Sequence, residues 1–386
     1  MTSLHIAAIY GDEGLTRRLL EEGYNPNIVE TRLRTPLYGA VWERLHSIVE
    51  LLLDFGACIE LASHNGLTAL HAAVKRDPVL LELLLQRGGN CNYQDSNGDT
   101  LLFHDIAEKK IDALRVLLNH NANPNIPNNT GLLPLFLCVS VDDIPSMILL
   151  LDHGADPNGK VGFKHKVSIP SSISSPGITD SNAGEAPIQG RIALEPVPIG
   201  TRPNGVYISH SPVSFAMQMG RNEALKRLLL LCKNITWNDP THNGEGLIHY
   251  AVRLKNEEIL RILLMYGPKV LRNMSNDLGR TPLHIAAQVG NVAVAAMLLH
   301  IGYDDINHRD CGGSTPLTEA LFNERLELAK LLLDHGADRS IADEFIHGRF
   351  QGRPCMIHVG PRKETGHPKE LELPRLSRLL QSIEST

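Results

Sequence analysis

The stretch from Gly279 to Asn307 constrains the whole chain, because it encodes two short helices that cannot bury their apolar faces without neighbours. In order it reads Gly279, Thr281, Pro282, Leu283, His284, Ala286, Ala287, Gly290, Leu298, Leu299 and Gly302. Thr281 caps a first helix that Pro282 starts, since proline at the first helical position gives up only an amide that has no partner there. Gly290 ends that helix, and the small Ala286 and Ala287 let another helix approach closely. Val294, Leu298 and Leu299 lay an apolar stripe on a second helix. Such a hairpin needs copies of itself on either side.

The sequence supplies them. A clipped version, Thr2-Ser3-Leu4-His5-Ile6-Ala7-Ala8 with Gly11, Leu19, Leu20 and Gly23, reads as an N-terminal cap. Thr35-Pro36-Leu37 with Leu51 to Leu53, and Gly66, Thr68, Leu70, His71, Ala72, Ala73 with Leu83 and Leu84, give the second and third copies. The fourth (Gly98, Thr100, Leu102, Leu117, Leu118) and fifth (Gly131, Pro134, Leu135, Leu149, Leu150) lose letters but keep phase. After a break the pattern resumes at Ser211-Pro212-Val213, then at Gly244 to Gly267, at the Gly279 template, and at Thr315-Pro316-Leu317 to Asp338. This order of residues resembles the ankyrin repeat family, whose signature T-P-L-H-x-A returns about every 33 residues.

The resemblance implies an all-α fold, an ankyrin-repeat solenoid of about nine helix-turn-helix repeats with β-hairpin fingers, one long loop insertion and a C-terminal tail. Repeats one to five occupy 1–158, the insertion 159–208, repeats six to nine 209–340 and the tail 341–386. The insertion is rich in Pro, Ser and Gly, and a long loop at a finger costs little closure entropy. Two readings of it stay open, a surface loop or an ordered arm; Lys164 to Ile169 and Val206 to Ser209 are candidates for an extended hairpin. In the tail, Leu373 to Ile383 forms a short amphipathic helix that covers the end of the stack.

Composition excludes several classes of function. A net charge of -6 provides no field to hold phosphates, so nucleic acid is not an expected partner. The six cysteines are dispersed with no C-x-x-C pair, which argues against a disulfide framework and a zinc site and favours a reducing compartment. With neither a signal segment at the start nor an apolar run of membrane-spanning length, the expected location is the cytoplasm or nucleus.

No metalloprotease helix, nucleophile elbow, phosphate loop or dinucleotide turn is present, so the chain reads as non-catalytic, with no cofactor, metal or small-molecule substrate. His5, His71, His249 and His284 fill the histidine slot of the signature, where the resemblance implies that the imidazole ties one repeat to the next.

The resemblance also implies that the residues before the mid-repeat turn face a concave groove. On that reading Tyr10, Trp42, Lys75 and Arg76 form an aromatic and cationic patch, with Arg32 and Arg34 beside it on the second finger. Met219, Leu254, Val289 and Phe322 line a second, apolar strip. The alternatives are that Tyr10 and Trp42 pack on each other or on the cap, and that the strip is covered by the insertion. The expected function is that of a protein–protein interaction scaffold or adaptor, with one or more unidentified proteins as partners. A second reading is a ubiquitin-ligase substrate adaptor, since Leu373-Pro374-Arg375-Leu376 resembles the opening of the SOCS-box motif, although Ser377 stands where that motif has Cys.

Overall fold

The computed structural model describes residues 1–31, 34–163, 208–238, 244–301 and 305–346. Two compact units are present, Met1–Phe215 and Ala216–Thr386. The first contains the helix pairs α1 (Ser3–Tyr10) and α2 (Glu13–Glu21), α3 (Pro36–Trp42) and α4 (His46–Asp54), α5 (Ala69–Arg76) and α6 (Pro78–Gln86), α7 (Leu101–Glu108) and α8 (Ile111–Asn119), and α9 (Pro134–Val141) and α10 (Ile144–Asp152). Helix α11 (Pro212–Gln218) spans the boundary. The second unit continues with α12 (Asn222–Leu231), α13 (Leu247–Arg253), α14 (Glu257–Tyr266), α15 (Pro282–Val289), α16 (Val292–His300), α17 (Pro316–Phe322) and α18 (Leu326–Asp334).

The first helices of successive pairs pack side by side, α1 on α3, α3 on α5, α5 on α7 and α7 on α9 in one unit, α13 on α15 and α15 on α17 in the other. The reason is a single buried slot. Ala7, Ala40, Ala73, Ala216, Ala251, Ala286 and Ala320 occupy equivalent positions and are all buried, as the close approach of backbones requires. Leucines of the second helices, such as Leu52, Leu84, Leu117 and Leu263, close the core from the other side and are inaccessible to solvent.

Among the described residues, fingers are tight hairpin turns closed by a backbone bond, for example Ser63 N to Leu67 O (2.8 Å), Asp95 N to Asp99 O (3.0 Å) and Asp310 N to Ser314 O (2.9 Å). These turns are too short for regular strands, and among the described residues only Gln94 and Thr100 form a β-bridge across one. Adjacent fingers are joined edge to edge, Ser96 N to Asn65 O and Asn129 N to Asn97 O. Gly66 shows why the turn needs glycine. Its φ is 76°, and a Cβ there would stand 2.5 Å from the Ser96 nitrogen of the next finger.

Two features lie outside the repeat pattern. The strands β1 (Val161–Phe163) and β2 (Ile208–His210) pair antiparallel and join the two ends of the break, with Ile208 and Ser209 belonging to a segment expected to be extended; Lys164 to Ile169 lies outside the described residues. A further helix, α19 (Arg339–Ile346), packs on α17 in a stretch that carries no repeat signature. The amphipathic segment Leu373 to Ile383 lies outside the described residues.

Candidate functional site

In the first unit the site is built on α3. Thr35 starts this helix by accepting the Tyr38 N–H at 3.1 Å, and Tyr38 stands where other repeats carry histidine. One helical turn later comes Trp42, so the two rings lie on one face and stack, with centroids 6.1 Å apart and planes 11° from parallel. The Arg34 guanidinium lies 5.5 Å from the Tyr38 ring centre, and that of Arg76 5.1 Å from the Trp42 ring centre. Arg76 is fixed there because its Nε donates to the Trp42 carbonyl at 2.9 Å. The result is a four-layer stack, Arg34, Tyr38, Trp42, Arg76, drawn from two successive repeats.

Beside the stack opens a cleft of about 340 Å³, lined by Met1, His5, Ile9, Arg34, Tyr38, Gly39 and Trp42, with Glu30 and Glu43 contributing carboxylates. Of the residues expected in this patch, Arg34, Trp42 and Arg76 come together. Lys75 stands apart from the rings, its Nζ 3.9 Å from Glu108 Oε1, a separation and exposure at which an ion pair contributes little. Tyr10 is 83% exposed at the end of α1, and Ile9 rather than Tyr10 lines the cleft. Trp42 therefore packs on Tyr38 and Arg76, a different partner set from the Tyr10 and cap contacts weighed above. Arg32 lies outside the described residues. Tyr38 was missed by sequence reasoning, although its four-residue spacing from Trp42 is a signal for a shared helix face.

In the second unit, Leu254 caps the C-terminus of α13, and Val289 and Phe322 end α15 and α17. These helices pack side by side; Leu254 and Val289 hold the same repeat position, as Met219 does after α11, while Phe322 stands one position earlier in its repeat, and all four are half-buried. Next to Leu254, Arg253 is clamped by Glu245, with Nε to Oε2 at 2.7 Å and Nη2 to Oε1 at 2.5 Å. Two exposed apolar side chains on the opposite helices, Leu230 and Met265, recur at a 35-residue interval that sequence reading passed over.

The buried histidines hold the frame. His284 Nδ1 accepts the Thr281 N–H at 3.3 Å, so the ring proton sits on Nε2, which donates to the Ser314 carbonyl of the following repeat at 3.0 Å. His249 repeats this between Gly246 and Arg280, and His5 between Thr2 and Arg34. Burial pulls the His284 pKa down to about 4 and that of His71 to about 3, so both rings are neutral near pH 7. His71 differs from the others. Its Nε2 has no hydrogen-bond partner, and its ring meets His104 edge-on at 4.9 Å, whose Nε2 lies 3.1 Å from Asp95 Oδ2.

Among the described residues, no group of three His, Cys, Asp or Glu side chains is placed to hold a metal ion, and no helix is long and apolar enough to cross a membrane. Five cysteines are free thiols; Cys355 lies outside the described residues, as does the segment that resembles the ligase-recruitment motif.

A sequence model of ankyrin repeats in three tandem copies matches residues 4–95, 75–161, 213–310 and 271–343. These matches cover most of the chain. The chain belongs to the ankyrin repeat family. Its ankyrin repeats are 38% identical over 97 residues to SH3 and multiple ankyrin repeat domains protein 1 of Homo sapiens, covering 24% of this chain and 4% of that protein. Over 93 residues they are 41% identical to putative ankyrin repeat protein FPV031 of fowlpox virus, covering 23% of this chain and 27% of that one. Over 114 residues they are 31% identical to the B-cell lymphoma 3 protein homolog of Mus musculus, covering 29% and 25%. The matched ankyrin segments thus span only a small part of these relatives.

Proposed function

We propose that this ankyrin array is a non-catalytic scaffold that binds a protein partner through its inner-helix surface, within the cytoplasm or nucleus. The observation that carries this reading is the Arg34–Tyr38–Trp42–Arg76 stack beside the 340 Å³ cleft. Tryptophan, tyrosine and arginine are the residues that dominate interface hot spots, and here their rings and guanidinium groups are already ordered before a partner arrives. The cleft is large enough for one or two side chains of the partner and combines apolar lining from Ile9, Tyr38 and Trp42 with the carboxylates of Glu30 and Glu43. Ankyrin repeats generally mediate protein–protein interaction, which supports the same reading. The half-buried Leu254, Val289 and Phe322 in the second unit offer further apolar contacts.

The test is capture of partners by wild type and by the Trp42→Ala, Leu254→Asp double variant, once circular dichroism shows equal helix content. Proteins retained by wild type and lost by the variant are the expected outcome. Retrieval of an identical set by both would remove these residues from the binding surface.

A further inference from the structure

We propose that the turns joining first to second helices in repeats two to four form a docking ridge for an acidic peptide segment of the partner, an inference that rests on the groove reading above and specifies its chemistry. The turns are Glu43-Arg44-Leu45-His46, Lys75-Arg76-Asp77 and Glu108-Lys109-Lys110. Contacts between repeats make them one continuous feature. Arg44 Nε reaches Asp77 Oδ2 at 3.2 Å, Arg76 Nε donates to the Trp42 carbonyl at 2.9 Å, Lys110 Nζ donates to the Lys75 carbonyl, and Lys109 Nζ donates to the Val141 carbonyl at 3.4 Å.

The kind of acceptor matters more than the number of bonds. A carbonyl oxygen fixes a cation in place but carries no net charge, so Arg76, Lys109 and Lys110 are positioned without being neutralised. All three are exposed, and Arg44 is 60% exposed while it holds the buried Asp77. Across the three turns five cations, Arg44, Lys75, Arg76, Lys109 and Lys110, outnumber three carboxylates, Glu43, Asp77 and Glu108. The ridge is also bounded: the preceding turn carries Asp12 and the following one Asp142 and Asp143.

These dimensions suit a short peptide. Adjacent helices lie about 8–10 Å apart, so three turns span about 20 Å, the length of about six residues of extended chain. Carboxylates at every third position, about 10 Å apart, would meet one turn each. The whole chain carries -6, so a long polyanion such as nucleic acid is repelled by the remaining surface, whereas a short acidic segment feels the ridge within a Debye length of about 8 Å. Trp42, covered on one side by Arg76, places the aromatic stack against the same ridge.

The experiment is fluorescence anisotropy of a labelled polyglutamate peptide of about eight residues with the full chain, against a labelled oligothymidylate of similar length. Binding of the peptide that weakens when salt rises from about 50 to about 200 mM is expected, with a loss of about tenfold in Lys109→Glu, Lys110→Glu. Lys109→Asn, which suits the left-handed backbone at that position (φ 55°), gives a milder variant should the double one not fold. Failure of the peptide to bind, binding unchanged in folded charge variants, or equal binding of oligothymidylate would each overturn the ridge. Trp42→Ala separates this inference from the groove reading. Peptide binding that is lost in Trp42→Ala but kept in the charge variants retains the groove and discards the ridge; the reverse pattern retains the ridge and discards the aromatic anchor.

Discussion

Asp105 provides the sharpest test of the packing argument. It occupies the slot on α7 that holds alanine in seven other repeats and Cys138 in the fifth, and it has no solvent exposure. Neither carboxylate oxygen makes a well-formed hydrogen bond, although the Leu114 amide pulls weakly on the group. Burial, with the Asp143 carboxylate as the second cause, pushes its pKa from 3.8 up to about 8, against a weaker opposing pull from the Leu114 amide and the Lys110 ammonium. The folded chain therefore keeps this proton to about pH 8, while the unfolded chain releases it near 3.8. Between those values the folded state holds more protons, so this group's contribution to stability falls as pH rises and is lowest above pH 8. Four units at about 1.4 kcal/mol each give a penalty on the order of 5 kcal/mol at high pH, and on the order of 4 at pH 7. Asp105→Ala removes that penalty and leaves a cavity of a few heavy atoms, worth about 1 kcal/mol. The expected net gain at pH 7 is therefore about 2–4 kcal/mol, growing towards pH 9 and vanishing near pH 4. Urea titrations of wild type and Asp105→Ala at pH 4, 7 and 9, followed by circular dichroism, measure it. A variant that is less stable than wild type at pH 7, or a difference independent of pH, would refute the reasoning and give the carboxylate a structural partner.

Two other predictions follow from backbone geometry. Glu324 has φ 56° in the mid-repeat turn where Gly11 and Gly290 stand in other repeats, so Glu324→Gly should stabilise the second unit by up to about 1 kcal/mol, read as a raised thermal midpoint; a lowered midpoint would show that the side chain matters more than the backbone. Gly66→Ala should cost about 2 kcal/mol or more, because it adds left-handed strain to a Cβ clash with the rigid backbone of the next finger, and hydrogen exchange should rise first at Ser96; unchanged protection there would count against the edge-to-edge linkage of fingers.

Much of the fold is legible because its signals are local. Threonine before proline, alanine pairs and turn glycines act within one repeat, through capping, close packing and the φ they permit, so the register and the number of repeats follow from reading the letters. The fourth repeat was readable as degenerate, yet nothing in Leu101 to Glu108 says that Asp105 would fall in the alanine slot without a well-formed hydrogen bond until the slot is aligned on its neighbours. The helix α19 and the strand Val161–Phe163 escaped because neither carries a repeat signature, whereas Ile208 and Ser209 fall in a segment read as extended.

The sequence alone thus determined the ankyrin architecture and the slots from which a groove is drawn. Only the tertiary structure decided which side chains in those slots meet. Arg76 belongs on Trp42 and Lys110 on the Lys75 carbonyl because repeats stack with a particular offset, and contacts between residues 34 and 35 positions apart depend on that offset and on side-chain rotamers. Ile9, not Tyr10, occupies on α1 the slot that Trp42 holds on α3; α3 directs its tryptophan onto its own tyrosine, whereas Tyr10, one position further along α1, is left in water. Periodicity fixes the slot; the packing of one repeat against the next fixes the contact.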